Sequence, residues 1–554
     1  MPGLGWTVAA AGLWLAEGQQ AGTSPEQGPS MSVKQCTKAG GCTATQFTAV
    51  LDANWRWLHN TGGYTNCYKG NQWEPSYCPD PVTCMTNCAL EGVSSDQYTG
   101  TYGVTVEDGG LRLKFVNHGP YSTDYGSRLY LLDNAAEEVL QAAPLGGYCG
   151  YSCPTGCGSC ASIITDGYCA SESNCVGNCN GKWCDGPAPS PSPSPSPSPS
   201  PSPTPSPSPT PAAGDKYKIW KLLNREFSFD VDVSQMPCGL NGALYFVEME
   251  PTGNLGGGNK AGAKFGTGYC DAQCPHDIKY IHGEANILNW TTTGPDTGLG
   301  HYGSCCAEMD IWESNKMAEA YTPHVCKITG QQRCEGLDCG DNADMKKHKA
   351  LQGPAGHRYD GVCDKDGCDF NPYRMGVKDF FGEGSSFTVD TSKPFTVVTQ
   401  FITSDGTDSG DLTEIRRFFR QGGKMIPNPK ASILKDGPDS VSDAFCSAQK
   451  TAFGDLNDFG KKGGMKAMGE ALRRGMVISM SLWDDSAAEM LWLDSNYPLN
   501  KDPSTPGVAR GTCSKDVSPP EYVRAHFPDA SVHYFNIAVG EIGSTGPAFE
   551  EVLV

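Results

Sequence analysis

Residues 227–233 read Phe227-Ser228-Phe229-Asp230-Val231-Asp232-Val233, with an apolar residue at every second position. Successive side chains of a strand point to opposite faces, so this run predicts a β-strand with one face in a core. The same period recurs at Leu111, Leu113 and Phe115, and again at Val532, Tyr534 and Phe535-Asn536-Ile537. Helical patterning is sparse, and only Met465 to Met476 is expected to form a short helix. Many strands with few helices predict an all-β chain, a β-sandwich of two curved antiparallel sheets. The 68 glycines fit the many turns such a fold needs.

The chain has 554 residues, enough for one large domain plus an appendage. Its 42 basic and 62 acidic residues give a net charge of −20. That balance argues against nucleic acid and anionic membrane as partners, since both attract basic surfaces. A neutral polymer is compatible with it. No apolar run is long enough to span a bilayer. Residues 6–16 are apolar, and 1–21 are expected to act as a signal peptide, although the usual basic start is missing. The 26 cysteines point to an oxidising compartment and hence to secretion. Outside residues 147–186 they are scattered along the chain rather than grouped as Cys-x-x-Cys pairs, so disulfides are expected there. Cys149, Cys153, Cys157 and Cys160 have a spacing that resembles a metal cluster, but in an exported chain disulfides are the expected reading for them too. Asn289-Trp290-Thr291 is an N-glycosylation sequon.

An interruption divides the strand-rich part. The stretch Arg128-Leu129-Tyr130-Leu131-Leu132 is expected to lead by a short turn into Lys218-Ile219-Trp220-Lys221-Leu222-Leu223, yet a long segment intervenes. Hairpin tips tolerate insertions because the flanking strands still pair. The boundaries expected are 32–133 for the first part of the main domain, 134–186 for an inserted Cys-rich module, 187–214 for a linker and 215–554 for the second part. The insert holds 8 cysteines with Tyr148, Tyr151, Tyr168 and Trp183, and the rest of the chain holds 18, so each part can pair internally. A unit this small needs disulfides in place of a core. Its exposed aromatics suit stacking on sugar rings, and a protective spacer is an equal reading. From 187 to 211 every odd position is Pro, which gives an extended arm with a contour of ~78 Å.

Residues 308–313 read Glu308-Met309-Asp310-Ile311-Trp312-Glu313. Buried carboxylates are costly unless paired or used. Cutting a glycosidic bond needs two of them, a nucleophile and a proton donor. In a regular strand Glu308, Asp310 and Trp312 share a face and Glu313 points away. A bulge near Ile311–Trp312 would return Glu313 to that face, and bulges are common beside active sites.

The flanking Gly303-Ser304-Cys305-Cys306-Ala307 and Ala320-Tyr321-Thr322-Pro323-His324 make the segment resemble the catalytic strand of glycoside hydrolase family 7, the cellobiohydrolases and endoglucanases that cut cellulose. Further matches follow in order: Asn54-Trp55-Arg56-Trp57, Thr65-Asn66-Cys67-Tyr68, Cys238 to Phe246, Gly266 to Asp271, Ser481 to Asp485 and Leu491 to Asp494. The resemblance covers roughly 32–133 and 215–545 and implies a concanavalin-like jelly roll whose concave sheet is roofed by loops. It implies cellulose or another β-1,4-glucan as substrate, no cofactor, and action as a monomer.

By this resemblance Glu308 is the nucleophile, Glu313 the acid/base, Asp310 the group that orients the nucleophile and His324 a support beside the acid. Trp55 and Trp57 would be sugar platforms toward the entrance. Trp483 would lie on the non-reducing side of the cut and Trp492 on the product side. Trp55 and Trp57, two apart, would share one face of a strand. Tyr245, Tyr269, Asp271 and Gln273 fall at matching sugar-binding positions. Arg358, Asp366, Arg374 and Arg510 correspond to groups that grip the product. The segment from Cys334 to Cys368 resembles the long roof loop of cellobiohydrolases and is extended by Met345-Lys346-Lys347-His348-Lys349, which favours a tunnel and processive release of cellobiose. Ser486-Ala487 replace a tyrosine pair of that roof, so an open-cleft endoglucanase is the rival reading. A non-catalytic lectin on the same fold is the more distant one. Ala89 replaces a cysteine, and its N-terminal partner is also absent, so one family disulfide is missing.

Overall fold

The structure, a computed structural model, describes residues 19–134, 177–179, 182–184, 215–256, 259–294, 297–341 and 357–546. The chain forms two units, Met1–Asn134 with Pro211–Val554, and Ala135–Thr210. In the second unit the described residues form a hairpin, Gly177–Cys179 against Lys182–Cys184, in which Trp183 pairs with Asn178. The expected signal-peptide core, Tyr148, Tyr151, Tyr168, the Pro-rich arm and the roof residues 345–349 lie outside the described residues.

The first unit is built on eleven principal strands. These are β1 (Ser30–Thr37), β2 (Gly41–Leu51), β3 (Ser127–Leu132), β4 (Arg225–Asp232), β5 (Leu240–Val247), β6 (Glu308–Ser314), β7 (Glu319–His324), β8 (Phe395–Thr403), β9 (Leu412–Gln421), β10 (Met476–Asp484) and β11 (Ser531–Glu541). They hydrogen-bond in the order β7-β6-β5-β10-β3-β2-β1-β11-β4-β8-β9. Every neighbouring pair is antiparallel except β1 with β11, where Val33 pairs with Ile537. The ribbon folds over so that β5 and β6 face β4, β8 and β9. Phe246 meets Phe227 at 5.2 Å between ring centroids, and Trp312 lies 6.1 Å from Phe229, 5.8 Å from Phe395 and 6.4 Å from Phe419. The expected all-β sandwich is therefore present, with its core between the two layers.

Alternation sorts the strands as the sequence predicts. Phe227, Phe229 and Val231 of β4 are fully buried in the core. On β10, Ile478, Met480 and Leu482 join that core, while Ser479, Ser481 and Trp483 take the opposite face. The expected helix forms as Gly464–Arg474. The pattern was too cautious elsewhere, because Asp443–Phe453 is also helical, capped by Ser442 and closed by Gly454 at φ +69°. Nine disulfides join all 18 cysteines of this unit, including Cys67–Cys88 and Cys238–Cys513.

Two expectations need correction. Trp55 and Trp57 do not lie on a strand. Ala53–Trp55 is a 3₁₀ turn capped by Asp52, and the next strand begins at Leu58. Asp52 sets this turn by accepting the Asn54 N–H at 2.7 Å. Nor do 128–132 and 218–223 pair along their length. The chain does close across the insert, with Lys218 N–H on the Leu131 carbonyl and Asp133 N–H on the Lys216 carbonyl, each at 2.8 Å. Ile219 then leaves to pair with Val477 of β10, because β3 is already paired on both edges.

Candidate active site

The bulge expected in β6 is present, and it decides which side chains reach the cleft. Against β5, Asp310 pairs with Tyr245 and Trp312 with Leu244, so Ile311 has no counterpart. Against β7, Asp310 pairs with Thr322 and Glu313 with Ala320. One extra residue shifts the alternation by one place. Met309, Ile311 and Trp312 all enter the core, whereas Glu308, Asp310 and Glu313 emerge on the other face. Trp312 thus leaves the face that a regular strand would give it.

The three carboxyl groups are buried, between 5% and 9% exposed. Glu308 accepts the Ala272 backbone N–H at 3.1 Å, and Glu313 accepts the Asn241 side-chain amide at 3.0 Å. His324 Nε2 lies 3.1 Å from Asp310 Oδ2, and its Nδ1 donates to the Asp364 carbonyl at 2.9 Å. Burial alone would lower the His324 pKa, but the bond to Asp310, the charge of Asp310 and the contacts with Asp364 together outweigh it and the pKa rises to about 9. Glu308, Asp310 and His324 place their polar atoms within 4.8 Å of one another. A protonated imidazole has no lone pair to offer a cation, so this trio suits an ion pair better than a metal. Burial, then the charge of Asp310, pushes both Glu308 and Glu313 well above the ordinary carboxylate range.

Aromatic and polar groups wall this face. Tyr245 and Tyr269 share a hydroxyl–hydroxyl bond of 2.9 Å, and Tyr269 donates to Asp271 at 2.7 Å. Burial raises Asp271 to about 6. Gln273 donates its backbone N–H to Asp271 at 2.7 Å and its amide to the Lys365 carbonyl at 2.8 Å. Trp483 and Trp492 lie 6.4 Å apart at 30°, packed with Ala320, the residue opposite Glu313. Trp492 donates to Asp485 at 3.0 Å.

Residues 20–144 and 211–546 match the model of glycosyl hydrolase family 7. The chain belongs to this family. It is 43% identical to a family 7 cellobiohydrolase from Daphnia pulex, covering 95% of this chain and 100% of that one with a TM-score of 0.76. A cellobiohydrolase from Melanocarpus albomyces, solved with cellotetraose, is 36% identical, with the same coverage and a TM-score of 0.72. An endocellulase from Humicola insolens is 31% identical over 95% of this chain and 100% of that one, with a TM-score of 0.66.

The remaining candidate residues of this family 7 hydrolase fall into two groups. Trp57 stands at the surface, 37% exposed, with its indole N–H on Asn66 at 2.6 Å and its ring stacked on His59 at 4.3 Å. Trp55 is half-buried and donates to the Tyr125 carbonyl at 3.2 Å. The arginines are more enclosed. Arg358 holds Asp366 at 2.7 Å, and Arg510 donates to the Trp492 carbonyl at 3.2 Å. Arg374 is buried, with its donors taken by Asp369, by Asp455 at 3.3 Å and by the Gly507 carbonyl at 2.9 Å. Three of its five N–H groups are thereby engaged within the protein. The sequon residue Asn289 is exposed.

Sequence reasoning missed Arg128, Asp52 and Asn241. Arg128 lies 3.3 Å above the Tyr269 ring and pairs with Asp52 at 3.2 Å. Tyr130 also donates to Asp52. The signal was available, since Leu129 and Leu131 face the core and leave Arg128 and Tyr130 for the opposite side.

Proposed function

We propose that this chain is a secreted cellulase that cuts β-1,4-glucosidic bonds with retention of configuration and releases cellobiose from chain ends. The observation that carries the reading is the bulge in β6, which sets Glu308, Asp310 and Glu313 on one buried face beside His324. Glu308 attacks the anomeric carbon while Glu313 gives its proton to the leaving oxygen. Glu313 then takes a proton from water, whose oxygen displaces Glu308 from the sugar. The raised pKa of Glu313 keeps it protonated for the first step. His324 offsets part of the charge of Asp310, and the Ala272 N–H favours an ionised Glu308. Trp483, Trp492, Tyr245 and Tyr269 offer stacking faces and hydroxyls for the glucan.

Release from chain ends is supported by the higher identity to the Daphnia cellobiohydrolase than to the Humicola endocellulase. The length of the segment between Cys339 and Arg358 supports it further. One observation favours internal cutting instead. Ser486 and Ala487 stand exposed beyond Trp483, where a tyrosine pair would help close a roof. The nine disulfides suit an oxidising, extracellular setting. Among the described residues no helix is long and apolar enough to cross a membrane. The chain is read as acting alone, without cofactor.

Proton NMR of the first product from a soluble cello-oligosaccharide tests the chemistry; the β-anomer is expected, and the α-anomer would overturn retention. Reducing ends counted in the soluble and insoluble fractions of crystalline cellulose test the mode. Cellobiose with few insoluble ends supports release from chain ends, and mixed oligomers with many insoluble ends support internal cutting.

A further inference from the structure

The bulge creates a need that one buried arginine meets. Ile311 has no counterpart in β5, and against β7 it stands with Trp312 opposite the single residue Tyr321, so both ladders are interrupted here and a bulged residue is left in want of a backbone partner. Arg417, on β9 in the opposite layer, donates to the Ile311 carbonyl through Nη2. We propose that Arg417 is a positioning residue for the acid Glu313: by holding the Ile311 carbonyl from across the core, it fixes the bulge that turns Glu313 into the cleft. This rests on the reading of Glu313 as the acid.

The surroundings of Arg417 favour a fixed tether over a general contribution to packing. Its side chain is fully enclosed, as is that of Glu319 on β7, whose carboxylate lies 3.6 Å from Nη1. Nε donates to Thr399 on β8 at 3.2 Å. The guanidinium lies 4.3 Å from the centre of the Tyr321 ring and 5.9 Å from that of Trp312. One planar fork therefore touches β6, β7 and β8 at once, and it has only one orientation that does so. Neither oxygen of Glu319 has a hydrogen-bond partner among the described residues. A buried pair so poorly satisfied is weak as a source of stability, and register is the better-attested use of such groups. The alternative register is easily named. Without the bulge, Trp312 turns toward the cleft and Glu313 toward the core, because a shift of one residue exchanges the faces of a strand.

The test separates acid catalysis from loss of folded enzyme. Turnover is measured on two aryl β-cellobiosides, 2,4-dinitrophenyl, whose leaving group needs no proton, and phenyl, whose leaving group does. Arg417→Met should lose on the order of 100-fold in kcat/KM on the phenyl substrate, the scale of general acid catalysis. It should lose under about 5-fold in kcat/KM on the dinitrophenyl one, because kcat/KM reports the first step and that leaving group needs no proton. There kcat and KM should fall together, since Glu313 is also the base of the second step. Arg417→Lys keeps the charge and should recover part of the phenyl activity. If Arg417→Met does not accumulate as folded protein, Arg417→Lys is judged by the same ratio of losses. Glu313→Gln sets the standard. If it discriminates between the substrates and the Arg417 variants lose equally on both, or lose nothing, the inference is overturned alone. If Glu313→Gln itself loses equally on both, the acid assignment falls and this inference with it.

Discussion

Two groups of buried or partly buried carboxylates lie close together in this protein and answer burial in opposite ways. Glu308 and Glu313 have carboxylates as neighbours, so burial and like charge act together and their pKa values rise. Asp366 and Asp369 meet the same penalty, but Arg358 and Arg374 more than offset it, and both are held below the usual range. Burial sets the size of the effect, and the neighbours set its sign. In the first group Glu313 is suited to hold and pass a proton, while Glu308 must give up its own to act as nucleophile. The second stays charged throughout and can only brace or bind.

The comparison can be broken most severely at Glu308. Glu308→Gln removes the nucleophile and should lower kcat by a factor on the order of 10³–10⁵ on every substrate. A residual rate near wild type would show that the raised group does no covalent chemistry. Next in size is Asp369→Asn, which removes the nearer of the two carboxylates paired with the buried Arg374 guanidinium and should cost about 3 kcal/mol near neutral pH. Because the folded pKa of Asp369 is depressed, its stabilisation is present above the unfolded value and is lost as pH falls through the folded one. The gap between variant and wild type in urea melts should therefore narrow at strongly acidic pH.

Asp310→Asn acts on the other group. Its charge helps to raise Glu313, so its removal should let Glu313 lose its proton at lower pH. The basic limb of the kcat/KM profile should move toward acid, with about a 10-fold loss at the optimum. A limb that stays in place would mean that Asp310 does not tune the acid. A smaller effect of opposite sign to Asp369→Asn is expected at Asp494. Burial raises this carboxyl to about 7, although it accepts Gly239 N–H at 3.0 Å and the Asn315 amide at 2.7 Å. A raised folded pKa means that stability is full below the unfolded value, roughly 4, and falls as pH climbs toward 7. Asp494→Asn should flatten that decline in Tm, and an unchanged slope would refute it. Smallest of all, replacing 134–214 by a short turn should leave rates on soluble cello-oligosaccharides within about 2-fold, since hairpin insertions are tolerated. If binding to solid cellulose then drops, the insert binds sugar; if it does not, the insert is a spacer.

Much of this was legible in the sequence, and for traceable reasons. Period-two alternation carries strand identity, which is why β4 and β11 were readable. The same rule needed a bulge to make Glu313 usable, and the bulge is where the rule required it. What stayed hidden depends on contacts between distant residues. Arg417 looks like any charged position on a strand until β9 is folded over β6. The pairing of Arg374 with Asp455 likewise joins residues far apart in the chain. The spacing of Trp55 and Trp57 suggests a strand, and the turn set by Asp52 overrides it.

The place of β11 in the sheet has a consequence for how the molecule is made. This strand, Ser531–Glu541, lies between β1 and β4 and joins the two halves of the hydrogen-bonded ribbon. It is also the last of these eleven strands to leave the ribosome. Until it arrives, β1 and β4 each present an open edge, a standing invitation to pair with another chain. Final assembly must then wait for synthesis to pass residue 541, and every nascent chain spends that interval exposed to aggregation. Production of this protein should be limited by how well the host shields those two edges, more than by the strength of the finished fold.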